Sequence, residues 1–214
     1  DVMKKRPGSP ITVGLSVKDK LFLSNLYIMG AFKYSRKSRG RNVIFNYDLK
    51  SRKWCVLTKC PVPRHDARMV ATNRALYIIG GCNPLDHKRS SKLLPLRECY
   101  KYQFENKEWQ LIAPMHHARA LHAAVVFKNM ILAIGGKNEN DRLLSSIERY
   151  DVLLNSWEEV PEALPEPRMA MGVAAEGDYM WVVGGFTNIG RFHMVEDSVW
   201  CFDNTYKRYD DHFF

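Results

Sequence analysis

The chain has 214 residues, enough for one all-β domain, and its content of 46% hydrophobic and 12% aromatic residues suits a packed core rather than disorder. Its net charge of +9 is unevenly placed. Residues 1–64 hold 15 Lys/Arg against 3 Asp/Glu (+12) and residues 65–214 hold 17 against 20 (−3), so the basicity is local, which argues against a uniformly nucleic-acid-coated protein.

Taken in order, residues 1–20 read as a linker or atypical start, with Lys4-Lys5-Arg6, Pro7-Gly8 and Pro10. The chain begins at Asp1 rather than Met, as an excerpt or processed product would. Residues 11–23 have some strand character. A first, diverged unit covers 21–63, with strands over 25–30, 42–47 and 54–57 and a basic loop over 33–41. Ala31 follows Gly30 where later units have a second glycine, so this turn is expected to differ. A second unit, 64–118, opens on Arg64, has a strand ending at Gly80, and carries a long loop over 82–96. The third, 119–167, runs from Arg119 through a strand-like apolar run over 120–127, a second over 130–134, Gly135-Gly136, a polar loop, and a strand containing Tyr150 before Trp157. The fourth, 168–214, has strands over 171–175, 179–183 and 198–203, a loop holding Asn188-Ile189-Gly190-Arg191, and an end inside or just after a fourth strand.

The units share fixed internal distances. An arginine precedes a diglycine by 16 residues at Arg64/Gly80, Arg119/Gly135 and Arg168/Gly184, and an aromatic precedes another by 7 at Tyr47/Trp54, Tyr102/Trp109, Tyr150/Trp157 and Phe202/Tyr209. Only the connection after the diglycine varies much in length. Constant spacing with one elastic loop is the mark of a stacked structural repeat. Four short strands per unit make one antiparallel sheet, which buries both faces only by stacking against like sheets around an axis.

Gly-Gly after an apolar strand, Tyr-Asp, a tryptophan seven residues after the tyrosine, and Ala113-Pro114-Met115 ahead of Arg119 together resemble the kelch repeat, over about residues 26–209. The resemblance implies an all-β kelch propeller, here partial, of about four blades, where the family most often has six. It also implies a protein-interaction module, with BTB-kelch adaptors of cullin ubiquitin ligases as the nearest likeness. The BTB and BACK domains that dock the cullin would lie outside these residues. Kelch proteins that bind actin are the alternative, and kelch-fold copper-radical oxidases a more distant one. The compartment implied is cytoplasmic, cytoskeletal or nuclear.

No catalytic motif stands out: there is no phosphate loop, Gly-x-Ser-x-Gly or His-Glu-x-x-His, and no enzyme or cofactor is expected. Cys60, His65, His116, His117 and His122 fit no zinc spacing, so no metal is expected, and His122 reads as a core or pore residue in a strand. Five cysteines, Cys55, Cys60, Cys82, Cys99 and Cys201, form an odd set without Cys-x-x-Cys, which favours free thiols in a reducing compartment. No apolar run approaches a membrane span, no secretory signal is evident, and neither membrane nor nucleic-acid partners are expected.

Arg64, Arg119 and Arg168 recur in each complete unit. They either tie the repeat together or line a pore mouth where guanidinium groups grip carboxylates or phosphates. By the resemblance, partner contacts fall just after the diglycine, at Phe32, Lys33, Tyr34, Cys82, Asn83, Lys137, Asn138, Phe186, Thr187 and Asn188. They fall also two residues after each arginine, at Asp66, Leu121 and Ala170. The second set holds no arginine, which speaks against an acidic-motif ligand. A protein or peptide held on this loop face is the expected partner.

Overall fold

The computed structural model describes residues 25–29, 42–49, 51–85, 94–189 and 192–209. Among them every regular element is a β-strand, and the strands gather into four antiparallel sheets with one added hairpin. Blade 1 shows three strands, β1 (Asn25–Met29), β2 (Val43–Asp48) and β3 (Lys53–Lys59). Blade 2 is β4 (Arg68–Ala71), β5 (Ala75–Ile79), β6 (Cys99–Gln103) and β7 (Glu108–Ile112), and blade 3 is β8 (Ala123–Phe127), β9 (Met130–Ile134), β10 (Ile147–Asp151) and β11 (Ser156–Glu159). In blade 4, β12 (Gly172–Glu176) and β13 (Tyr179–Val183) are followed by the hairpin β14 (Phe186–Ile189) and β15 (Phe192–Val195). Then come β16 (Val199–Asp203) and β17 (Arg208–Tyr209), with β16 pairing back onto β13.

The strand sequences explain this stacking. In β5 every residue of Ala-Leu-Tyr-Ile-Ile is buried, because both faces of the sheet are covered, whereas the outer strand β7 reads mostly exposed. Alternate side chains of β5 enter different cores. Leu76 and Ile78 pack with Ile44 and Tyr102 between blades 1 and 2, while Tyr77 and Ile79 pack with Ile131, Ala133, Tyr150 and Trp157 between blades 2 and 3. Blade 3 does the same, sending Leu132 and Ile134 to a third cluster with Met180, Val182, Trp200 and Phe202 of blade 4.

The spaced aromatics are the staples of these junctions. Tyr150 and Trp157 are cross-strand partners with ring centroids 5.2 Å apart. Trp157 is 5% exposed, and its indole N–H donates to the Ala113 carbonyl of the preceding blade at 2.9 Å. Trp109 reaches back in the same way to Thr58 Oγ1 at 3.0 Å. Burying the ring while satisfying its one donor is the arrangement expected of a large amphipathic aromatic.

The diglycine joins blades at a second level. Gly81 N–H donates to the Arg119 carbonyl and Gly136 N–H to the Arg168 carbonyl, each at 2.7 Å. The preceding glycines make that approach feasible: Gly80 and Gly135 have φ of +56° and +57°, and a Cβ at Gly135 would sit 2.5 Å from the Arg168 carbonyl oxygen. The first glycine therefore needs both the left-handed backbone and the missing side chain.

Two sequence expectations need correction. The apolar run over 120–127 is not one strand: β8 begins at Ala123, because Leu121 takes a left-handed φ of 56° and turns the backbone out of the sheet just before His122. The connection around Asn188 is not a plain loop either. Phe186–Ile189 and Phe192–Val195 are rich in β-branched and aromatic residues, and they pair as the β14–β15 hairpin. The expectations for residues 1–24, 30–41, 86–93, 190–191 and 210–214, including Phe32, Lys33, Tyr34, Ala31 and the basic loop, lie outside the described residues.

Candidate partner-binding face

The three residues that stand two after the repeat arginine share one conformation. Asp66, Leu121 and Ala170 have φ of 54°, 56° and 56°. Their backbones are linked in series, Leu121 N–H donating to the Asp66 carbonyl at 3.0 Å and Ala170 N–H to the Leu121 carbonyl at 2.7 Å. The main chain does the holding at this position, so the side chain is left free to differ from blade to blade. Asp66 and Ala170 are exposed and Leu121 is half-buried.

The residues after the diglycine come up beside this series. His65 and Cys82 exchange both backbone hydrogen bonds, at 3.0 and 2.9 Å, and Ala120 and Lys137 do the same at 3.0 and 2.8 Å. A cleft of about 290 Å³ opens between blades 2 and 3, lined by His65, Asp66, Cys82, Pro95, Ala120, Leu121, Lys137 and Asp141. Asp66, Cys82, Leu121 and Lys137 from the sequence-derived set thus meet in one cleft, although they come from two blades. Asn83 and Asn138 do not line it. They shape the loops instead, accepting backbone hydrogen bonds on their side-chain oxygens from Leu85 and from Asn140 and Arg142, all at 3.0 Å. Phe186, Thr187 and Asn188 stand on the β14–β15 hairpin beside Ala170: Phe186 and Asn188 are exposed, whereas Thr187 is buried and donates to the Pro167 carbonyl at 2.9 Å.

The cleft carries both charges. Lys137 pairs with Asp141 at 2.9 Å, and His65 Nδ1 lies 2.8 Å from Asp66 Oδ2. Burial pushes the Cys82 thiol up to about 11, with the Asp66 carboxylate adding to the rise and Lys137 and Arg64 opposing it. At neutral pH that sulfur is a protonated, weakly polar wall, poorly suited to nucleophilic attack. Among the described residues no three His, Cys, Asp or Glu side chains gather as metal ligands, and no helix is long and apolar enough to cross a membrane.

The repeat arginines point away from ligands and into the fold. Arg119 is fully buried and bonds Glu148 through Nε and Nη2, Gly135 and Ser146 carbonyls through Nη1, and Ser146 Oγ through Nη2. Glu148 in turn accepts the backbone N–H groups of His116 and His117, which precede blade 3. Arg64 bonds Glu98 at 2.6 Å and has Tyr100 beneath its guanidinium at 5.5 Å, while Arg168 bonds Ser198 and lies 3.7 Å over the Trp200 ring. Strand register makes Glu98, Ser146 and Ser198 equivalent, and likewise Tyr100, Glu148 and Trp200. One position supplies a hydrogen bond and the other either a carboxylate or a π-face, so the same cation is held in three ways. These partners escaped sequence analysis because the holding residues differ chemically in each blade; the fixed offset from the diglycine strand was the available signal.

The model of the KLHDC2/KLHL20/DRC7 Kelch-repeats domain matches residues 19–211. This is a kelch-repeat protein. It is 34% identical over 176 residues to beta-scruin of Limulus polyphemus, covering 80% of this chain and 19% of that one. It is 27% identical over 209 residues to Kelch-like protein 40 of Xenopus tropicalis, covering 95% and 32%. The kelch chain thus spans between 19% and 32% of the length of these relatives. The solved structure of YjhT overlies 87% of this chain and 61% of that chain with a TM-score of 0.70 at 18% identity, which bears on the fold alone. The kelch blades described above are therefore those of a protein-interaction domain.

Proposed function

We propose that this kelch domain is the substrate-recognition module of a cytoplasmic BTB-kelch adaptor, holding a protein partner on its loop face for a cullin ubiquitin ligase and performing no catalysis itself. The observation that carries the proposal is the cleft between blades 2 and 3, where residues from the two expected contact sets converge on a frame fixed by backbone hydrogen bonds. Variable side chains on an invariant backbone are what a fold needs to select different partners without refolding. The likeness to Kelch-like protein 40 supports the adaptor reading. Cullin would bind only through domains outside these residues.

Affinity capture with the full-length natural protein, beside a variant carrying Tyr34→Ala, Leu121→Ser, Lys137→Ala and Asn188→Ala, tests it. The variant is expected to keep the cullin and lose its other partners. An unchanged partner set rejects the loop face, and absence of cullin from both captures rejects the adaptor role.

A second reading, binding to filamentous actin, is favoured by the +12 charge of residues 1–64, which suits an acidic polymer. Salt-sensitive co-sedimentation with actin filaments would be its signature.

A further inference from the structure

Every junction between blades is built alike: the forward side of one sheet meets the backward side of the next. The forward side of blade 2 presents Tyr77, Ile79 and Cys99, and that of blade 3 presents Leu132, Ile134 and Ile147. All six are at most 1% exposed. Blade 4 has Trp181, Val183 and Val199 at these positions, set by the same offsets from the diglycine and the same cross-strand pairs. There Val183 is 45% exposed, and Trp181 and Val199 are half-buried. Strand register makes this one continuous surface. Val183 lies opposite Gly172 and Val199, Trp181 opposite Ala174 and Cys201, and the exposed Tyr179 opposite Glu176 and Asp203. Cross-strand partners and every second residue along a strand point to the same side of a sheet.

The complementary surface is on blade 1. On the backward side of blades 2, 3 and 4, Tyr102, Tyr150, Trp157 and Phe202 are at most 5% exposed. Blade 1 has the same staple, with the Tyr47 and Trp54 rings 4.9 Å apart against 5.2 Å in blades 2 and 3. Phe45 and Val56 pair two residues along, on the same side. Yet Trp54 is 51% exposed and Val56 64%. Blades 1 and 4 thus carry the two halves of one more junction. Among the described residues no core cluster joins these two blades, so the halves do not meet within one copy.

Charge sets how two copies would face each other. Residues 21–63, blade 1, hold 9 Lys/Arg against 1 Asp/Glu, and residues 168–214, blade 4, hold 4 against 7. Blade 1 against blade 4 brings opposite charges together, whereas blade 1 against blade 1, or 4 against 4, opposes like charges.

We propose that this chain associates head to tail, blade 4 of one copy receiving blade 1 of a second and repeating between chains the junction that joins blades within one. The contact is heterologous: Trp181, Val183 and Val199 of one copy cover a different set, Tyr47, Trp54 and Val56, on the other. Desolvated aromatic anchors supply most of the affinity at such an interface, and the surrounding charges fix its orientation. It engages the sides of the sheets and leaves the loop face open.

Sedimentation equilibrium of the 214-residue chain tests this. The average mass is expected to rise above the monomer's between about 1 and 200 μM, and less steeply at high salt. Val183→Arg sets a cation against the basic blade 1, and Val56→Glu sets a carboxylate against the acidic blade 4. Each should weaken self-association about tenfold or more. Mixed in equal amounts, the two variants should form a dimer and stop there, because the Val183→Arg copy keeps its blade 1 surface and the Val56→Glu copy its blade 4 surface. Leu153→Ser, on the exposed turn between β10 and β11, should change nothing, and thermal melts confirm that each variant is folded. An unmodified chain that stays monomeric overturns the proposal. So does a single variant that still self-associates, which would mean that like surfaces meet, or a mixture that stays monomeric.

Discussion

Ala170 and Leu121 hold backbone angles that L-residues with a Cβ adopt at a cost of about 1–2 kcal/mol, yet neither is glycine. Glycine would relieve that strain and return part of the gain as lost chain entropy, of order 0.5–1 kcal/mol. Ala170→Gly should therefore stabilise the chain by about 0.5–1 kcal/mol in urea unfolding. Gly135→Ala, with the same sign of φ, should do the reverse, since its Cβ meets the Arg168 carbonyl. A loss of about 2–4 kcal/mol is expected from backbone strain plus overpacking.

His122 makes a second case at the same scale. It is fully buried, neither ring nitrogen has a partner, and burial together with the nearby Arg68 and Arg119 cations holds its pKa well below the ordinary value. Folded protein keeps the ring neutral while the unfolded chain takes up a proton below about pH 6.5. The unfolded state then binds more protons, so stability falls as pH drops through that point, at up to about 1.4 kcal/mol per pH unit for this one group. His122→Met, which installs the residue that blade 4 has at the equivalent Met171, should flatten the midpoint-versus-pH curve between about pH 6.5 and 5. An unchanged slope would show that another group dominates acid sensitivity.

At the scale of the strand, the tyrosine–tryptophan pair is the unit of inter-blade adhesion. Trp157→Ala removes a ring that is 5% exposed and also strands the Ala113 carbonyl. A loss of about 3–5 kcal/mol is expected, readable as a lowered urea midpoint. Trp54 shares the seven-residue spacing but is 51% exposed, so Trp54→Ala should cost well under half as much. Strands of this kind were legible in the sequence because the information is local: the spacing of Tyr150-Asp151 and Ala133-Ile134-Gly135-Gly136 follows from register and the close blade-to-blade approach. Leu121's turn was not legible, since a leucine in the left-handed region gives no compositional cue and the long-range bonds to Asp66 and Ala170 hold it there. The β14–β15 hairpin was missed for the opposite reason, a turn-like Asn188 and Gly190 outweighing the strand-forming residues on either side. Within the cleft, the offset from arginine and diglycine located Asp66, Cys82, Leu121 and Lys137, while His65 and Asp141 required the fold to bring them in.

Across the whole molecule, stability should be graded rather than uniform, because among the described residues each core cluster joins sequence-adjacent blades. Blades 2 and 3 are covered on both sides, and β5 and β9 are nearly all buried. Blade 4 is covered on the side facing blade 3, with Val173, Met180 and Val182 in the shared core, but its other face leaves Tyr179 and Val183 47% and 45% exposed. Local opening free energies follow such differences in burial. Amide hydrogen exchange should therefore be slowest in β5 and β9, intermediate in β13 and β16, and fastest in β14–β15, whose root bonds can break without opening a core. Uniform protection across all blades would mean that the sheets unfold as one unit, and that recognition on the loop face could not be tuned in one blade without altering the others.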